Sequence, residues 1–174
     1  EAKGIPYVRF VVINNAGTAA ARSGKAEAAT AALAKLQKDW PDAPQTKALA
    51  DMIAKLKTVA VGSPAPAFEI EDLDAPGQKL TPASFKGKWV LLDFWGTWCT
   101  WCVKELPHTH KLYEVYKAKG LEILSLANDG KPEQVQAFRK KPGYPMPWKH
   151  GFLGNKTVHP MQAAYNVQSF PSLF

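Results

Sequence analysis

Between Trp89 and Trp95 the chain reads Trp-Val-Leu-Leu-Asp-Phe-Trp, apolar at odd and even positions alike apart from Asp93. A strand with one wet face alternates, whereas a run that is apolar on both parities suits a central strand covered on both faces. Cys99-Thr100-Trp101-Cys102 follows within a few residues and opens a helical pattern with Leu106, Leu112, Tyr113 and Tyr116 at apolar positions. Leu121 to Ala127 is the next apolar run. Strand, helix and strand in that order make a βαβ unit with parallel pairing, and the fold class is α/β.

Cys99 and Cys102 are the only cysteines of the protein, and they stand where the first strand hands over to its helix. Unpaired backbone N–H groups and the helix dipole favour an anion at that place, so the Cys99 thiol should ionise more readily than a free cysteine. Cys102, one turn further in, can attack a mixed disulfide formed on Cys99. So short a loop constrains little of the unfolded chain, which argues against a structural staple. The expectation is dithiol/disulfide exchange, with Cys99 attacking and Cys102 resolving.

Rival chemistries of a Cys-x-x-Cys pair fit less well. A zinc half-site would need two further ligands, but His108 and His110 are two apart on one helix and face different ways. Covalent haem attachment needs histidine after the second cysteine, and Val103 stands there. No metal and no cofactor is expected.

The formal charge of +7 over 174 residues raises the question of nucleic acid. Lysines and arginines are dispersed with no block of five or more, so a nucleic-acid partner is rejected, while weak attraction to acidic partners or peripheral contact with an anionic membrane surface stays open. No run approaches the roughly 18 apolar residues that span a bilayer. Glu1-Ala2-Lys3-Gly4 shows neither an initiator Met nor a signal-peptide core, as expected if a targeting segment has been removed or the chain is an internal piece.

Ahead of the βαβ unit, residues 5–13 are rich in β-branched and aromatic types and read as a strand or buried extended arm, closed by a turn at Asn14-Asn15-Ala16-Gly17. A helix is expected from about Lys25 to Trp40, with Ala29, Leu33, Leu36 and Trp40 on one stripe. Pro41 and Pro44 break it, and Thr46 is placed to cap a second helix carrying Leu49, Met52, Ile53 and Leu56. The two make a helical hairpin, either a packing appendage or the end of a partner-binding region that begins upstream. The breaker-rich joint Gly62-Ser63-Pro64-Ala65-Pro66 sets the boundary, giving an N-terminal arm and hairpin over 1–61 and a second domain over 62–174. In the latter, short strands are expected over Ala67–Ile70 and Gln78–Leu80, and helices over Pro132–Lys140 and His159–Tyr165.

Taken in order, Pro64-x-Pro66-x-Phe68, Phe85-x-Gly87-Lys88 leading into Val90 to Cys99, Cys102-x-x-Glu105-x-Pro107, and Phe170-Pro171-Ser172 resemble the thioredoxin fold, and within it the TlpA/ResA-like thiol-disulfide oxidoreductases of the AhpC/TSA-redoxin superfamily. The resemblance covers about Ser63 to Phe174. It implies a thioredoxin-like central sheet flanked by helices, a solvent-reachable Cys99 and a buried Cys102. It implies a cis-proline at Pro171 lining a substrate groove, with the Phe170 backbone pairing with an extended substrate segment. An ordinary trans edge-strand proline is the alternative there.

Asp93 matches the buried acid behind the disulfide. A carboxylate in an apolar strand should have a raised pKa and could exchange a proton with Cys102. Glu105, one turn after Cys102, matches the active-site acid of the TlpA/ResA-like branch. Each could instead be structural, Asp93 as a paired buried acid and Glu105 as a surface glutamate. Trp95 and Trp98 would wall the site, with plain core the alternative for either, and Trp98 and Trp101 would contact substrate.

By the same resemblance the protein would act outside the cytoplasm, in the periplasm or an equivalent compartment, as a reductase of client proteins with cysteines or disulfides. An upstream thiol-disulfide donor would supply its electrons. Trp101 departs from the family's usual proline before the second cysteine. Ser125 stands where thioredoxin carries a lysine near the buried acid. The chain also stops at Phe174, short of a closing strand and helix, so the C-terminal part of the fold is expected to be missing. A peroxiredoxin-like peroxidase shares the early hairpin but would have threonine where Gly96 stands. A non-catalytic partner-binding protein is the remaining class.

Overall fold

The computed structural model describes residues 4–174, with side chains described from residue 6 onward. Glu1 to Lys3, the start of the segment expected to bear on targeting, lie outside the described residues. The chain divides into two compact units, one up to Pro66 and one from Ala67 to Phe174.

The first unit is three helices, α1 (Gly4–Arg22), α2 (Ala26–Asp39) and α3 (Pro44–Thr58). The strand or arm expected over 5–13, and the turn at Asn14 to Gly17, are replaced by α1, so the expected hairpin is a three-helix unit. Packing overrides β propensity here. Phe10, Ile13, Gly17, Ala20 and Ala21 recur at helical spacing and meet Ala29, Leu33, Leu36, Leu49 and Ile53 in one core. Gly17 marks the tightest approach. A Cβ there would lie 2.7 Å from Leu49 Cδ2 and 2.8 Å from Ala32 Cβ, so this glycine lets helices close rather than turning the chain. Thr46 does not cap α3 either. The N-cap is Ala43, followed by Pro44 in the first turn, and buried Thr46 donates its hydroxyl to Trp40 O at 2.9 Å. The joint to Pro66 opens with turns after α3 ends at Thr58, and Ser63 Oγ donates back to Lys57 O at 3.1 Å.

In the second unit, β1 (Ile70–Glu71) and β2 (Lys79–Leu80) form an antiparallel hairpin. The main sheet contains β3 (Trp89–Trp95), β4 (Leu121–Ala127), β5 (Lys149–Phe152) and β6 (Ser172–Leu173), in the order β5-β4-β3-β6. β3 pairs parallel with β4, β4 parallel with β5, and β6 antiparallel with β3. The helices are α4 (Thr100–Tyr116), which continues through Pro107, α5 (Pro132–Arg139) and α6 (Pro160–Ala164).

Side chains two apart on a strand share a face. Leu91 and Trp95 of β3 and Ile123 and Ala127 of β4 pack with Leu106 of α4, Val135 and Phe138 of α5, and both cysteines. Phe94 points the other way, against Tyr165 and Phe174. The helix that carries the cysteines therefore rests on the face of β3 and β4 that also carries Asp93 and Ser125. The architecture is α/β, with a mixed four-stranded sheet, flanking helices and an N-terminal three-helix region.

Candidate active site

The site lies at the carboxyl ends of the parallel pair β3 and β4, where open α/β sheets place ligands. Cys99 is the N-cap residue of α4, as the run from strand to helix predicts. Its sulfur accepts the Cys102 N–H at 3.2 Å, and Cys99 and Cys102 form a disulfide. In this oxidised state the exposures are 6% and 4%, so the expected contrast between a reachable and a buried sulfur is slight. Trp98 and Trp101 carry most of the exposed aromatic surface beside the pair, at 57% and 68%.

The loop into Cys99 is pinned by the residues that follow β4. Thr97 donates its backbone N–H and its hydroxyl to the buried Asp129 carboxylate. Trp98 Nε1 donates to Asn128 O at 2.7 Å, and Asn128 N donates to Trp95 O at 2.8 Å. Gly96 allows the Trp98 indole to fold back, because a Cβ at 96 would lie 2.6 Å from Trp98 Nε1. Threonine at that position would have to displace Trp98. Asn128 and Asp129 were missed in the sequence. Two polar residues just beyond the carboxyl end of a buried strand are the signal that could have found them.

Trp98 meets the Phe170 ring edge-on with centroids 5.6 Å apart. Phe170-Pro171 is a cis peptide, as the resemblance implies, and β6 follows it directly. Trp101 carries the Lys104 ammonium 4.7 Å from its ring centroid. Trp95, expected to wall the site, is core instead. It is buried against Phe138, with centroids 5.5 Å apart, because its parity turns it under the disulfide.

Asp93 is buried on β3, level with Ser125 of β4, whose hydroxyl donates to Asp93 Oδ2 at 2.8 Å. Burial pushes its pKa up to about 6, and the Ser125 hydrogen bond only partly offsets that. Such a carboxyl changes charge near neutral pH, which suits a proton acceptor. Glu105 is placed differently. Its carboxylate is 58% exposed and lies 3.3 Å from His108 Nδ1, because the buried stripe of α4 runs through Cys102 and Leu106 and leaves Glu105 on the solvent side. Of the two histidines weighed as metal ligands, His108 faces solvent with Glu105, while the His110 ring packs 4.8 Å from Trp148.

Residues 61–163 match the AhpC/TSA family. Thiol-disulfide oxidoreductase ResA of Geobacillus thermodenitrificans is 40% identical over 99 residues, 56% of this chain and 55% of that protein. ResA of Bacillus subtilis is 32% identical over 123 residues, 71% of this chain and 65% of that protein. Among solved structures, the thioredoxin domain of a thiol-disulfide oxidoreductase from Bacteroides vulgatus superposes with a TM-score of 0.58 at 33% identity, over 66% of this chain and 79% of that one. The chain spans between about half and two thirds of the length of the curated relatives it matches.

Proposed function

The chain belongs to the AhpC/TSA family, and from that premise we propose that it is a thiol-disulfide oxidoreductase, exchanging the Cys99–Cys102 pair with disulfides of client proteins. The observation that carries this is the disulfide at the N-terminus of α4, with Cys99 as the capping residue. A thiolate at that position faces the positive end of the helix dipole and the first backbone N–H groups.

In the reducing direction, the Cys99 thiolate attacks one sulfur of a client disulfide. The client S–S bond breaks, a mixed disulfide forms on Cys99, and the departing client thiolate takes a proton from solvent. Cys102 then gives its proton to the Asp93 carboxylate and attacks Cys99 Sγ. The Cys99–Cys102 bond forms, the second client thiolate leaves and is protonated, and the client has gained the two electrons that the pair has lost. An upstream thiol-disulfide protein returns them. Asp93 serves as the buried acceptor and Glu105 as a carboxylate on the solvent side that passes protons outward. Trp98, Trp101 and Phe170 offer an apolar surface to the client beside Pro171. Action in an extracytoplasmic compartment is part of this reading, as is the role of residues 62–174 as the redox domain. Among the described residues no helix is long and apolar enough to cross a membrane.

The test is the pH dependence of Cys99 alkylation in the reduced protein. A midpoint clearly below the free-cysteine value of about 8.5 is expected, and one at or above it argues against an activated nucleophile. Cys99→Ser should abolish reduction of a protein disulfide such as that of insulin. Unchanged turnover would leave the non-catalytic reading standing.

A further inference from the structure

Trp148 lies in the buried cluster that contains both cysteines, and its indole N–H donates to Ser125 Oγ at 2.8 Å. Ser125 in turn donates to Asp93 Oδ2 at 2.8 Å. Both lengths are those of well-formed hydrogen bonds, and all three residues are buried. An indole N–H can only donate. It takes up one lone pair of the serine oxygen and leaves the single hydroxyl proton to point at the carboxylate. We propose that Ser125 and Trp148 are positioning residues for the resolving step, holding Asp93 as a proton acceptor through a hydrogen-bond chain that runs one way, from Trp148 through Ser125 to Asp93.

This rests on the reading of Asp93 as the acceptor of the Cys102 proton. Burial favours the neutral carboxyl, which would be a poor base, and a donated hydrogen bond favours the carboxylate. If the serine hydroxyl were free to turn, its oxygen could accept a hydrogen bond from a protonated Asp93 and stabilise the wrong state. Trp148 opposes that turn by occupying one of the two serine lone pairs, which leaves the oxygen fewer orientations from which to accept. Apart from Asp93 itself, no side chain of this hydrogen-bond chain is ionisable at neutral pH. From β5, His150 stands level with Ser125 and stacks on Trp148 at 6.4 Å, with burial holding its pKa down at about 3. From α4, Tyr113 and His110 face Trp148, at 5.4 and 4.8 Å between centroids. From β6, apolar Leu173 lies opposite Asp93. Cys102 of α4 is the proposed proton donor.

The experiment follows the resolving step in single turnover. Reduced full-length protein is mixed with 5,5′-dithiobis(2-nitrobenzoate), and release of the second thionitrobenzoate is timed from pH 4.5 to 9. The wild type is compared with Ser125→Ala, Ser125→Thr, Trp148→Phe and Asp93→Asn. Ser125→Ala and Trp148→Phe are expected to move the midpoint of resolution up by about half to one pH unit, the value of one lost hydrogen bond. Ser125→Thr should restore the wild-type midpoint, and the alkylation midpoint of Cys99 should stay in place in all variants. A shift with Asp93→Asn but none with Ser125→Ala or Trp148→Phe overturns the chain and leaves Asp93 as acceptor. No shift with Asp93→Asn overturns the acceptor reading and the chain with it. Should Trp148→Phe fail to fold, as near-UV circular dichroism would report, the Ser125→Ala and Ser125→Thr pair decides alone.

Discussion

The two compact units bury different chemistry. The helical unit closes on Ala21, Ala29, Leu36, Leu49 and Ile53, with Thr46 as its one buried polar side chain among the described residues. The unit from Ala67 to Phe174 buries Asp72, Asp93, Ser125, Asp129, His150 and Gln162 among its apolar side chains. Burying a polar group is unfavourable unless it is hydrogen-bonded, and burying a charge more so. The helical core is therefore explained by packing alone. The sheet unit instead keeps buried polar groups, and three of them, Asp93, Ser125 and Asp129, lie on or just beyond the strands that carry the disulfide loop. Asp129 offsets its burial through the bonds from Thr97, whereas Asp93 has one donated hydroxyl and retains a raised pKa.

If that contrast is right, damage in the helical core should alter stability and leave the redox chemistry alone. Leu36→Ala removes a fully buried side chain at the meeting of the helices, and a loss of about 2–5 kcal/mol is expected for such a truncation. Urea unfolding followed by far-UV circular dichroism measures it. The rate at which the native protein exchanges with glutathione should not change, and a parallel fall in that rate would break the comparison.

Asp93→Asn tests the opposite side. The folded carboxyl keeps its proton to about pH 6, whereas an ordinary aspartate loses it at 3.8, so between those limits the folded chain binds more protons than the unfolded one. Stability then falls as pH rises through that window, and Asp93 is a burden above it. The asparagine variant should gain up to about 3 kcal/mol at pH 7.5 and nothing below about pH 4. Urea midpoints of both proteins across that range decide the matter. A gain independent of pH would show that burial of the charge is not its source.

The smallest expected effect is at the loop. Thr97→Val removes the hydroxyl donor to Asp129 and leaves the backbone N–H, so a loss of about 1–2 kcal/mol is expected. Faster hydrogen exchange at the Trp98 indole N–H, bonded to Asn128 O, would locate that loss in the loop. Unchanged exchange there would separate Asp129 from the placement of Trp98.

Much of the site could be read along the chain because its signals are local. The apolar run of β3, the helix after it and the run of β4 have lengths and parities that suit a parallel βαβ unit, and Cys99 falls at the cap by position alone. Asp93 stands out as the one acid in the apolar run of β3. α1 reads as a strand in the sequence because its β-branched residues hide a helical stripe through Phe10, Ile13 and Gly17, whose meaning depends on Ala32 and Leu49. Glu105 carried the right spacing from Cys102, but only the position of the buried stripe on α4 decided that its carboxylate faces solvent.

By itself the sequence determined the α/β class, the helix that starts at Cys99, and the pairing of a Cys-x-x-Cys motif with an acid in the strand behind it. Periodicity and end effects act within a few residues, so one stretch of chain suffices to express them. Tertiary structure decided which groups hold that site. Thr97 meets Asp129, Trp98 meets Asn128 and Asp93 meets Ser125 across the ladder of β3 and β4, and Trp148 completes the last pair from beside β5. A hydroxyl or an indole N–H has no preferred partner until parallel pairing sets the register. Once it does, most buried donors find an acceptor within about 3 Å.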